Sequence, residues 1–482
     1  MSLLADRDAT IAAQDRQIAG MAEQLAAATE LIEQLAGRVA ELERQAGRDS
    51  SNSSRPPSSD DPYTKAPARS SRTSSGRPRG KQPGAPGQTR MMVDDPDETF
   101  TIDPPSCAGC GASLAGAPVF ATARHQVFDT PPAPPRPHVT EYRVVARTCP
   151  CCAATTPGQP PVPLTGRLAW GPRLLARAAW LVCAHHLPVR RAAAVLATLL
   201  GAAVSVGWVA SVRARAARLL ETTFLPHVRG LIAAAPVAHA DETTARAAGG
   251  LRYVHVACTE YLTVMHTGDR TAAAIDAGGV WPAFTGVLMR DGYAGYTHLT
   301  GALHAWCGAH TLRDLRAVHD GDPDQTWADA MATTLLDAHH AARATRQAGQ
   351  TALDPATIAR IRNHYLGALA RGEADNTGRR SPLTKDARTL IGRMRRHEDM
   401  ILRFVTDLAV PFTNNLAEEA ARPVKVQQNT SGGAWRTLTG LADFAVVQSY
   451  LSTATKWGLN TLDVLVDLFT TGPWLPPATQ PG

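Results

Sequence analysis

At 482 residues with 44% hydrophobic side chains, the chain is too long for one ordinary core, so several domains are expected. No run approaches the ~20 apolar residues of a membrane span, and Met1–Arg16 lacks the apolar stretch of a secretory signal. That predicts a cytoplasmic protein, whose eight cysteines would serve metal or packing before disulfides. The formal charge is +6, and nine basic against three acidic side chains between Arg48 and Arg90 give an excess of the same size. Positive charge is thus concentrated in one tract suited to phosphate.

Leu4, Ile11, Ile18, Leu25, Ile32 and Val39 recur every seven residues, with Met21, Ala28, Leu35 and Leu42 at the companion position. Arg7 and Gln14 weaken the first two turns. A sustained 3.5-residue period needs a helical partner and predicts a coiled coil over residues 1–46, its oligomer state open. Residues 47–98 are rich in Ser, Pro, Gly and Arg and nearly free of large apolar groups, which predicts a disordered basic linker. A mere spacer needs no charge, so Arg69, Arg72, Arg77, Arg79 and Lys81 are candidate contacts to double-stranded DNA.

Residues 99–160 hold two CxxC pairs, Cys107 with Cys110 and Cys149 with Cys152. Four thiolates on two tight turns would close a tetrahedral structural Zn²⁺ site with no open position. Cys151 competes with Cys152, but only Cys152 keeps the two-residue gap; packing cysteines are the alternative. Val119–Ala121 and Tyr142–Ala146 read as strands between the pairs.

The pattern over residues 165–235 is helical. A short helix from Pro188 to Leu200 ends at Gly201, and a second over Ser205–Leu220 carries Arg213, Arg215 and Arg218. This fits a helix-turn-helix contacting DNA and equally an ordinary helical hairpin. An α/β core follows in two parts, 236–320 and 408–470, split by an all-α insertion at 321–407. Its strands are Val237–His239, Leu251–Thr259, Tyr261–His266 and Gly286–Met289, the middle two a hairpin, with a further strand within His304–Ala309. Gly268–Ala277 reads as a short helical link, and Asp354-Pro355 and Ser381-Pro382 as helix starts. Thr413 or Asn414 caps a helix bearing Glu418, which Pro423 should end within about two turns; residues 471–482 read as a disordered tail.

Asp241 and Asp291 each follow an apolar strand, at the sheet end where open α/β folds place ligands. Glu418 would join them from a helix. Three converging carboxylates repel unless a divalent cation neutralises them, and hard oxygen ligands suit Mg²⁺ or Mn²⁺. Two such ions roughly 3.5–4 Å apart support phosphodiester displacement.

His239-Ala-Asp241-Glu242-Thr243 resembles the first-aspartate motif of the insertion-sequence-66 family of bacterial DDE transposases, and Arg290-Asp291-Gly292-Tyr293-Ala294-Gly295-Tyr296 its second. Cys307-Gly-Ala-His310-Thr-Leu-Arg313 is similar to its C-x-x-H-x-x-R segment, and Asn414-Asn415-Leu416-Ala417-Glu418 with Arg422-Pro423 to its glutamate motif. The resemblance extends to the serine-rich stretch at 51–59, the paired CxxC module and the region from Ser449 and Tyr450 to Leu465. It implies a ribonuclease-H-like fold with a helical insertion. The implied activity is cleavage and strand transfer of insertion-element ends with two divalent ions held by Asp241, Asp291 and Glu418. His310 and Arg313 would act beside them as further catalytic residues, with a structural role for His310 as the alternative, and Cys307 would pack under the sheet. Lys425 is carried over as a DNA contact in a segment with fewer charges than the family's. Glu419 stands where the family has arginine, so it competes with Glu418, which the spacing from Asn414 and Asn415 favours. The implied partners are terminal inverted repeats, target DNA, a second copy through the coiled coil and accessory proteins of the same element, with a nucleoid-associated location. The alternatives are a degenerate DNA-binding repressor and a nuclease on the same fold that does not join strands.

Overall fold

The computed structural model describes residues 2–46, 91–130, 134, 136–159, 168–379 and 382–478. The predicted DNA contacts Arg69 to Lys81, the stretch at 51–59 and Ser381 lie outside these residues. The chain divides into two compact units, Met1–Pro67 with Arg136–Gly482, and Ala68–Pro135. None of the helices described is long and apolar enough to cross a membrane.

In the smaller unit the described residues are mostly irregular, held by local bonds such as Gln126 Nε2 to the Val93 carbonyl at 2.7 Å. The expected strand at 119–121 is not formed: Val119 and Phe120 are exposed and have no sheet to join. In the larger unit the strand expected at 142–146 appears later, as β1 (Ala146–Thr148), paired antiparallel with β2 (Thr155–Pro157). That ladder brackets the Cys149–Cys152 turn.

The heptad segment is one helix, α1 (Ser2–Ala46). The helical region holds α2 (Pro172–Cys183), α3 (Val189–Leu200), α4 (Val206–Glu221) and α5 (Phe224–Ala233). Gly201 ends α3 at φ 61°, where a side chain would be strained, and Ser205 caps α4 by accepting the Trp208 N–H. The buried stripe Val209, Val212, Ala216 and Leu220 recurs at helical spacing and seats α4 against α2 and the late helix Leu438–Lys456.

The sheet comprises β3 (Val237–Ala247), β4 (Gly250–Cys258), β5 (Thr263–Gly268), β6 (Val287–Arg290) and β7 (Leu303–Trp306). Its order is β5-β4-β3-β6-β7: the first three antiparallel, with β6 and β7 added parallel to β3. Beyond β5 a single turn of helix, α6 (Ala272–Asp276), leads toward β6.

After β7 come α7 (Gly308–Gly321) and then the helices of the expected insertion, α8 (Thr326–Gln347), α9 (Pro355–Asn376), α10 (Pro382–Arg396) and the short α11 (Glu398–Ile401) and α12 (Arg403–Thr406). Together with Val287, Met289 and Ala305 of the sheet these helices form one core around Trp327 and Tyr365. A second core joins the other sheet face, through Ala238, Ala240 and Leu288, to α2–α5 and to α13 (Asn415–Thr430), α14 (Leu438–Lys456) and α15 (Thr461–Thr470). Residues 471–478, expected to be a loose tail, are held by Trp474 N to Tyr450 Oη at 3.1 Å and by His227 Nε2 to the Pro476 carbonyl at 2.7 Å.

Two expectations are corrected. The first core strand does not end near Asp241 but runs on to Ala247 and turns tightly through Ala248 and Gly249 into β4. Beyond the short pairing with β6, its other edge is taken by distant residues: Arg246 N donates to Gln428 Oε1 at 2.9 Å, and Trp435 N to the Arg246 carbonyl at 2.7 Å. Pro423 does not end α13, which continues to Thr430. Buried Val424 and Gln427, with Lys425 donating to Thr244 and Gln428 accepting from Arg246, offset the roughly 3 kcal/mol that an internal proline costs.

Candidate active site at the sheet rim

Side chains alternate along a strand, so the parallel register fixes which residues share a face. Val237 pairs with Val287 and His239 with Met289. One further step of two residues along β3 puts Asp241 on the face of Val237 and His239, and Asp291 directly follows β6, near enough for its charge to act on Asp241. Asp241 lies mid-strand, at the point where β6 stops. There its Oδ1 accepts the Glu242 N–H at 2.8 Å. Asp291 begins the loop after β6, and its Oδ1 accepts the Tyr293 N–H at 2.9 Å, folding that loop back.

Glu418 comes from the first turn of α13, and its position is set by Asn414. Asn414 Oδ1 accepts from His239 Nδ1 at 2.9 Å, and its Nδ2 donates to the Ala240 carbonyl at 2.8 Å. Its own N–H donates to Cys307 Sγ at 3.2 Å. Gly308 admits the chain before α13: its N–H donates to the Phe412 carbonyl, and a Cβ there would meet the Phe412 ring at 2.1 Å. On α7, His310 and Arg313 are three apart and share a face. His310 Nδ1 and Arg313 Nη2 each lie 3.8 Å from Glu418 Oε1.

The electrostatics are those of crowded acids. Burial, then the charges of Glu242, Asp291 and Glu418, hold the Asp241 carboxyl well above the usual range. Burial, then Arg313, lowers His310 despite Asp291 and Glu418 nearby. Glu418 Oε1 and His310 Nδ1 are both buried without a hydrogen-bond partner among the described residues. Such orphaned atoms beside crowded carboxylates have the chemistry to hold a cation. Cys307 Sγ, a His310 nitrogen and a Glu418 oxygen lie within 4.8 Å of one another. Burial raises the Cys307 thiol, and its bond from Asn414 gives it a structural task. Glu419, the competing acid, is exposed one residue on, and its charge is felt by Lys456.

Three further side chains at this rim carry no signal in composition or spacing. Glu242 is 4% exposed and takes Tyr296 Oη on one oxygen at 3.0 Å and Arg270 on the other. Burial and the Asp291 charge raise its carboxyl. Tyr296 is raised well above its usual value by burial, then by Glu242 and Asp241. Glu242 and Tyr296 fall inside the aspartate motifs, which was the one available hint; nothing marked Arg270.

The remaining predicted sites lie elsewhere. Arg213 sits 5.8 Å from the Trp435 ring centre and Arg215 5.9 Å from that of Phe469, while Arg218 is exposed. Lys425 Nζ donates to the Thr244 carbonyl and hydroxyl, and burial brings its pKa down to about 8. The cysteine turns repeat one backbone. Cys107 N donates to the Ala112 carbonyl and Gly111 N to the Cys107 carbonyl; Cys149 N donates to the Ala154 carbonyl and Ala153 N to the Cys149 carbonyl. Gly111 and Ala153 match at φ 73° and 57°. Cys107 and Cys149 are each lowered, mainly by N–H groups of the cysteine three residues on.

A mixed α/β fold with acids gathered at a sheet rim defines the broad class. Residues 167–442 match the family model described as "Transposase IS66 family", more than half of the chain, and the chain belongs to that family. DNA is therefore the macromolecule it meets. Residues 10–91 match a second model, described as a family of unknown function. No curated protein matches the chain.

Proposed function

We propose that the chain cuts insertion-element ends and joins them to target DNA by metal-dependent phosphodiester displacement on a ribonuclease-H-like core. The strand order, three antiparallel strands extended by two parallel ones with a helical insertion before α13, supports that core assignment. The observation that carries the reading is the Asp241 carboxyl at the end of the β3–β6 pairing, raised by its burial and then by the crowded charges of Glu242, Asp291 and Glu418. Acids in such proximity are costly without cations.

Asp241, Asp291 and Glu418 would hold two Mg²⁺ or Mn²⁺ ions, their oxygens matching hard cations that keep several waters. When bound, the ions supply charge neutralisation and an activated water or 3′-hydroxyl. Asn414 keeps Glu418 against β3. Arg313 offers its guanidinium to a phosphate where negative charge develops. His310, whose pKa is lowered by burial and then by Arg313, is disposed to accept a hydrogen bond rather than add charge.

Purified protein should nick and join a duplex carrying its element's ends when given Mg²⁺. Asp241→Asn should reduce both by at least about a thousandfold while leaving DNA affinity within about twofold. Full activity in that variant would refute the assignment. Nicking without joining would mark a nuclease on this fold.

Structural zinc on Cys107, Cys110, Cys149 and Cys152 and pairing through α1 belong to the same reading. Each cysteine turn offers half of a tetrahedral thiolate set, with its first thiol already biased toward thiolate.

A further inference from the structure

Arg270 follows β5 and is fixed from three sides. Its Nε and Nη2 both reach Glu242 Oε1, at 2.7 and 2.6 Å. Its guanidinium carbon lies 3.8 Å from the centre of the Tyr293 ring and 5.8 Å from that of Tyr253. Its carbonyl accepts the Tyr293 hydroxyl at 2.9 Å. Gly295 makes room for the stack, since a Cβ there would meet the Tyr293 ring at 2.2 Å. Tyr293 in turn is tied by its N–H to Asp291. The arginine is therefore built onto the same loop as the second aspartate.

One edge of the guanidinium is left over. Nη1 has no hydrogen-bond partner among the described residues, and the side chain is 41% exposed. Burying Glu242 to pair with a half-exposed arginine gains little stability, because desolvating a carboxylate offsets most of the attraction. The arrangement makes sense as positioning: a guanidinium laid against the Tyr293 ring, held by Glu242 through two nitrogens, with the third unpaired on a part-exposed side chain. That is a phosphate-binding group.

We propose that Arg270 binds a backbone phosphate of the DNA strand lying across the Asp241–Asp291 rim, close to the bond that is cut. This rests on the transposase reading and names a residue that reading leaves unassigned. Glu242 is the positioning residue that keeps the fork oriented, and Tyr293 the surface against which it lies.

The test uses full-length protein and duplexes carrying the element end, with single phosphates replaced in turn by neutral methylphosphonate. For the unsubstituted protein, one replacement within a few nucleotides of the cut should weaken binding about tenfold, as loss of a charge-assisted hydrogen bond does. Arg270→Ala should lose about the same affinity on unmodified DNA and become indifferent to that one replacement. Arg270→Lys should recover the salt dependence, a slope of about one charge, but only part of the affinity. If folded Arg270→Ala keeps the unsubstituted protein's replacement profile, the arginine only braces the loop and the proposal fails. If the unsubstituted protein does not bind the duplex at all, the transposase reading itself falls, a distinct result.

Discussion

At the scale of single residues, Asn414 shows what a local rule misses. An asparagine at a helix start is expected to accept an N–H from the first turn. Here the N-terminal residue of α13's approach makes no such bond and gives both side-chain polar atoms to β3 instead. The cap is forgone, and the registration of Glu418 against Asp241 is gained. Asn414→Ala should cost little at the helix start but leave the Ala240 carbonyl and His239 Nδ1 buried and unpaired, about 1–3 kcal/mol each. Glu418 would then be free to drift. The Mg²⁺ concentration for half-maximal nicking should rise about tenfold, and Mn²⁺ binding followed by calorimetry should weaken in step, with DNA affinity little changed. Asn414→Asp should fall between, since it can accept from His239 but cannot donate to Ala240. An unaltered metal response in a folded Asn414→Ala protein would leave Asn414 a purely structural residue.

At the scale of elements, the sequence was legible where the cause is local. Gly201, Ser205 and Asp354-Pro355 marked helix ends because φ > 0, a hydroxyl cap and a prolyl first turn act within a few residues. The run Asp241–Arg246 was not legible as strand. It is polar, and its second edge is completed by Gln428 and Trp435, nearly two hundred residues later. Pro423 misled for the same reason, since long-range bonds around Lys425 and Gln428 outweigh a local penalty. The acids of the rim were found through motifs, whereas Arg270 and the Asn414 tether depend on contacts that no spacing encodes. The cysteine turns lie at the legible end, and their shared backbone makes Cys152, not Cys151, the counterpart of Cys110. On the proposed zinc reading, Cys110→Ala or Cys152→Ala should each strip the metal measured in purified protein and lower the melting temperature. Cys151→Ala should retain the full metal content. Equal zinc loss in all three would break the equivalence.

At the scale of the whole molecule, the unfinished surface is α1. Ile18, Met21, Leu25, Ile32, Leu35, Val39 and Leu42 are each more than half exposed along one helix. In water such a seam is unfavourable alone. At roughly 1.5–3 kcal/mol for each side chain fully buried, burying the exposed part of seven on each of two chains is of the size needed to offset the roughly 4–15 kcal/mol that association costs. An element has two ends, while one chain supplies one set of Asp241, Asp291 and Glu418, so pairing through α1 would let one assembly engage both ends. Leu25→Asp with Ile32→Asp places charge at consecutive positions of the heptad seam, where a helical partner would have to desolvate it. Light scattering should show the unsubstituted protein as an oligomer and the double variant as a monomer. The core should melt at the same temperature in both, because α1 lends it no buried side chain among those described. Nicking of a single end should persist in the monomer, whereas products in which both ends are joined should fall at least about tenfold. If the double variant keeps the oligomer's mass, another surface brings the chains together and the seam is covered in some other way.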